Sequence, residues 1–148
     1  MTTTDRQVGS VPWGHCYFRV NVVANILTVM QAENVRLDPD KLGELYAQLG
    51  EAGAEDVVCR AMEELALRMS HCDRLYQASN WLELRKNCRS LIAIAEQVGL
   101  QKLANVAGDV ICAIDQNSHV AIGATLTRLI RIGERSLTAI WDTQDVTL

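Results

Sequence analysis

From Trp81 onward the apolar positions keep a helical beat. Trp81, Leu84, Cys88, Leu91, Ala95 and Val98 recur at spacings of three and four. That period places all six on one stripe of an α-helix, the stripe that faces a bundle core. Gly99 follows, where a glycine ends a helix by taking a left-handed conformation. Leu100, Leu103, Val106, Val110 and Ile114 open a second stripe at once. Two helices joined so tightly fold back on each other, which predicts an αα-hairpin.

The same reading extends in both directions. Leu37-Asp38-Pro39-Asp40 predicts a helix start, with Asp38 as N-cap and Pro39 in the first turn. Leu42, Leu45 and Leu49 are its expected buried face and Gly50 its stop. A long helix over about 54–77 follows, with Val58, Met62, Leu65, Met69, Cys72 and Tyr76 as core stripe, and Ser79-Asn80-Trp81 as a short connection. After the hairpin, Asp115–Ser118 is a polar turn with Ser118 as N-cap. The last helix runs to about Trp141, with Ile122, Leu126, Leu129, Leu137 and Ile140 inward. Gly123 and Gly133 weaken that helix unless a neighbour packs closely there.

Upstream, Phe18, Val22, Ile26, Val29 and Met30 fall close to a helical stripe between residues 15 and 33. The alternation Phe18, Val20, Val22 also fits a strand, but no second strand exists to pair with it, so a helix is preferred. Burying those side chains requires that this helix pack on the bundle or form a homodimer seam. The expected organisation is a flexible N-terminus over 1–14, one helical domain over 15–141 and a C-terminal tail over 142–148.

Composition supports helices. The 148 residues are 49% hydrophobic but 5% aromatic, with two prolines, which disfavours a β-sandwich. A net charge of −4 lacks the basic footprint of a nucleic-acid binder. Five scattered cysteines without a Cys-x-x-Cys pair read as reduced core residues of a cytoplasmic protein. The run Val20–Ala32 is too short to span a bilayer, so no membrane association is expected.

The hairpin resembles the centre of histidine-containing phosphotransfer (HPt) domains, the helical bundles that relay phosphoryl groups between response regulators. Their pattern is His-x-Leu-Lys-Gly, a turn glycine, then a helix opening with x-x-x-Leu-Ala. Anchored on Gly99, Leu103 and Ala104, it falls on Arg89-Ser90-Leu91-Ile92-Ala93. The leucine, the glycine and the Leu-Ala pair match. The phosphoacceptor histidine is replaced by Arg89, the lysine by Ile92 and the small residue by Ala93. The Leu-Asp-Pro opening near residue 37 also resembles the first helix of many such domains. The resemblance implies an all-α, up-down four-helix bundle with an additional N-terminal helix, and a degenerate site.

Phosphoryl relay needs an unprotonated ring nitrogen, which imidazole supplies at neutral pH. Guanidinium stays protonated and cannot replace it. The expected protein is therefore no enzyme and carries neither cofactor nor metal: His15, His71 and His119 have no ligand spacing. Arg85, Lys86 and Arg89, with Ile92 and Ala93, lie where HPt domains dock their partners. Arg128, Arg131 and Arg135 add a basic stripe on the last helix. Both sets fit a solvated face with local pairs such as Arg131 and Glu134. They also fit docking to the acidic pocket of a receiver domain. Three functions follow: a non-catalytic module binding a response-regulator receiver or a histidine kinase in a bacterial-type two-component phosphorelay; an assembly bundle acting through a homodimer; and a phosphotransfer protein using His71.

Overall fold

A computed structural model describes residues 33–145, which belong to the unit Ala32–Leu148. The expected flexible segment over 1–14 and, Glu33 apart, the expected helix over 15–33 lie outside the described residues. Those described form four helices and no strand: α1 (Pro39–Gln77), α2 (Trp81–Gln97), α3 (Gln101–Asp115) and α4 (His119–Asp145). Each helix packs on the next in the chain, and α4 closes back on α1. The described residues are all-α.

Local chemistry sets each boundary. Asp38 Oδ1 accepts from the Asp40 backbone N–H at 3.0 Å, with Pro39 directly behind it. Gly50 breaks α1 with φ 72° and ψ 175°, the left-handed region that glycine enters without a Cβ penalty. The helix resumes at Glu51, earlier than the expected restart near residue 54. Leu42 and Leu45 pack half-buried against the core, whereas Leu49 is 50% exposed. Its expected burial fails because the helix is broken at the very next residue. Asn80 caps α2 by accepting from the Glu83 N–H at 3.3 Å, and Ser118 Oγ accepts from the Ala121 N–H at 3.4 Å at the start of α4.

The core follows the stripes. Val58, Met62, Leu65, Met69 and Cys72 of α1 are buried together with Leu84, Cys88, Leu91, Ala95 and Val98 of the α2 segment. Tyr76 and Trp81 pack on the edge of this core, ring to ring at 5.8 Å, and His119 lies tilted against Trp81 at 5.3 Å. From α3 come Leu103, Val106 and Val110; from α4 come Ile122, Leu126, Leu129, Ile132 and Ile140. The two glycines of α4 mark where α1 comes close. A Cβ on Gly123 would lie 2.8 Å from Tyr76 Oη, and one on Gly133 would run into Met69 Sδ. The helix continues to Asp145, so the expected tail from residue 142 begins as helix.

Residues 33–38 form a strap without regular secondary structure ahead of α1, extended at Asp38. Its far end is fixed by the Asp38 N–H, which donates to the Gly99 carbonyl at 3.0 Å. Gly99 turns α2 into α3 with φ 78°. One glycine thus serves both the hairpin turn and the strap.

Candidate functional site

The positions that align with the HPt motif lie on α2. Arg89 and Ala93 are exposed, while Ile92 is half-buried and packs against the core. Arg85 is engaged: Nε donates to Asp115 Oδ1 at 2.8 Å and Nη2 to Asp115 Oδ2 at 3.1 Å. This fork-to-fork pair ties the second turn of α2 to the last residue of α3. Its hydrogen bonds hold the Asp115 carboxyl below the usual carboxylate range, with a smaller contribution from the charge on Arg89. Lys86 donates to Glu83 at 2.6 Å one turn back. Two of the three cations expected to form one docking cluster are therefore paired with acidic neighbours. Among the ion pairs of the described residues, none involves Arg89.

The second expected feature, Arg128, Arg131 and Arg135, does not form local pairs along α4. These side chains turn to the strap. Arg128 Nε and Nη2 donate to Glu33 Oε1 and Oε2 at 3.0 and 3.1 Å, and Nη1 donates to Asp109 Oδ2 at 3.1 Å. Arg131 reaches the same Glu33 carboxylate at 3.6 Å, and Lys102 of α3 reaches it at 3.4 Å. Arg135 and Lys102 make long contacts, each 3.5 Å, to the backbone carbonyls of Glu33 and Asn34. The hydrogen bond from Arg128 lowers the Glu33 pKa, and Lys102 adds to this, against a partial burial that raises it. Glu33, Lys102 and Asp109 carry no sequence signal for this role. Glu33 and Arg128 are 95 residues apart in the chain, and no spacing rule spans that distance.

A buried polar network joins α1 to α2. Asn87 Nδ2 donates to the Arg68 carbonyl at 2.8 Å and to Cys72 Sγ at 3.1 Å, while Arg68 Nη1 donates to Asn87 Oδ1 at 3.2 Å. Hydrogen bonds from Cys88 and Asn87 lower the Cys72 thiol pKa against burial. The Cys88 thiol is pushed up by its bond to Cys72 and by burial. Asn87 had a legible signal: it stands three residues after Leu84 on an otherwise apolar stripe. Cys59, Cys72 and Cys88 are free thiols, but Cys112 is disulfide-bonded, so the expectation that all five cysteines are reduced does not hold. Among the described residues no cluster of three or more metal-ligating side chains occurs, and no helix is long and apolar enough to cross a membrane.

One further concavity lies between α1 and α4, about 280 Å³ in volume. It is lined by Cys59, Met62, Glu63, Ala66, Leu137 and Trp141. Trp141 at its rim is 58% exposed. No family model, curated protein or solved structure matches this chain.

Proposed function

We propose that the protein is a non-catalytic, HPt-like four-helix binding module that docks a response-regulator receiver or a histidine kinase without carrying phosphate. The observation that carries the reading is Arg89, which occupies the position aligned with the phosphoacceptor, is exposed, and stands beside the Arg85–Asp115 pair. An exposed guanidinium offers five donors to a carboxylate or phosphoryl group and cannot form a phosphoramidate. Binding without transfer is what that substitution leaves. The exposed Ala93, one turn further along α2, keeps the rest of that face shallow enough for a partner to approach.

The test combines capture and chemistry. The protein is mixed with the host's receiver domains, phosphorylated with label and unphosphorylated. The expected result is a complex with at least one receiver, weakened in Arg89→Glu, and no acid-labile label on this protein. Label that appears and is lost in His71→Ala replaces the reading with phosphotransfer through His71, which is exposed on α1. A homodimeric assembly role is the second reading, favoured by the apolar groove with the exposed Trp141. It predicts a dimer by sedimentation that dissociates in Trp141→Ala.

A further inference from the structure

The strap and the helices beneath it bear charge out of proportion to each other. Among the described residues four cations, Lys102, Arg128, Arg131 and Arg135, face two carboxylates, Glu33 and Asp109, an excess of two positive charges. Arg131 has Glu134 three residues along the same helix, the spacing of a local pair, yet the ion pair described for it is with Glu33. The cations converge on the chain's own Glu33.

What they contact there is specific. Arg128 grips the Glu33 carboxylate with two parallel hydrogen bonds at 3.0 and 3.1 Å, and Lys102 and Arg131 flank it at 3.4 and 3.6 Å. Arg135 and Lys102 reach the carbonyls of Glu33 and Asn34. The recognised group is thus one carboxylate side chain on an irregular backbone segment whose carbonyls face the same cations. Any such peptide segment with a suitably placed Glu or Asp presents that group. Asp38, held to Gly99 and capping α1, anchors the strap independently, so residues 33–34 can leave without undoing α1.

We propose that this cradle between α3 and α4 is a binding site for an acidic peptide segment of a partner protein, and that Glu33 occupies it in cis. The tether makes the resident a strong competitor. A short linker holds a segment at an effective concentration of about a millimolar, so a partner must present several carboxylates or await release of Glu33. The surface is separate from the Arg89 face, and its success or failure leaves the receiver-docking reading untouched.

The probe is a fluorescein-labelled peptide of residues 30–36, Met-Gln-Ala-Glu-Asn-Val-Arg, with a second peptide carrying Gln for its Glu. Both are titrated by anisotropy into full-length wild type and Glu33→Gln. Glu33→Gln is expected to bind the Glu peptide about tenfold or more tighter than wild type does. It should prefer that peptide to the Gln peptide by a similar factor, and Arg128→Ala in the same background should abolish binding. Equal binding by wild type and variant, equal binding of the two peptides, or no binding at all overturns the proposal. Should Glu33→Gln fail to fold, amide NMR of wild type with a tri-glutamate peptide decides. Shifts confined to Asn34, Lys102, Arg128 and Arg131 support the site, and shifts elsewhere or none refute it.

Discussion

A methyl group at position 99 would meet backbone, which cannot move aside as a side chain can. It would lie 3.1 Å from Asp38 Cβ and 3.2 Å from the Asp38 backbone N and O, at a residue whose φ is 78°. The left-handed conformation alone costs a non-glycine residue about 1–2 kcal/mol, and the strap would have to retreat as well. Gly99→Ala is expected to lose at least that much in urea unfolding; an unchanged midpoint would contradict the double role of this glycine. Asn87 makes a comparable demand from the polar side. Asn87→Ala deprives Arg68 of an acceptor and Cys72 of a donor in a site 6% exposed. Leaving buried groups unpaired costs about 1–3 kcal/mol, which the same measurement would register.

At the level of elements the strap is the piece whose stability depends on pH. Glu33 has a folded pKa below its ordinary value because Arg128 and Lys102 bind the carboxylate. Its contribution is therefore complete above the unfolded carboxylate value of about 4.3 and is lost as pH falls through the lower folded value. Thermal melts of wild type and Glu33→Gln should differ at pH 7 by about 1.5–3 kcal/mol, the worth of a hydrogen bond to a charged group, and the gap should close at an acidic pH below the folded value. Curves separated equally at both pH values would remove Glu33 from the account. The helices were readable because their signals are local: Asp38 and Pro39, Gly50, Asn80, Gly99 and Ser118 each act within a few residues. The strap was not, because its partners lie on α3 and α4 and only the folded chain brings Lys102 and Arg128 to Glu33. The same limit explains the basic stripe, whose period on α4 was evident but whose target was not.

For the whole molecule, the proposed HPt-like reading asks whether a histidine at position 89 would alone give phosphotransfer. The geometry of α2 argues that it does not. A histidine at 89 would stand on an exposed surface, but the cations nearest in sequence are already committed, Arg85 to Asp115 and Lys86 to Glu83. Position 92, where the resembled family has a lysine, holds an isoleucine half-buried against the core, so no positive charge there offsets an incoming phosphoryl group. A lysine can replace it by laying its methylenes along the apolar surface and lifting its ammonium to water. Ala93 is exposed, and on the proposed reading glycine there would remove a methyl group from the docking face at the cost of about 1 kcal/mol of helix stability. Arg89→His and the triple change Arg89→His, Ile92→Lys, Ala93→Gly would each be mixed with labelled phospho-receivers and the transfer timed. The triple variant is expected to be faster by about tenfold or more, the equivalent of about 1.4 kcal/mol in the barrier. Equal rates would mean that imidazole alone was lacking, and that Ile92 and Ala93 have no part in the loss.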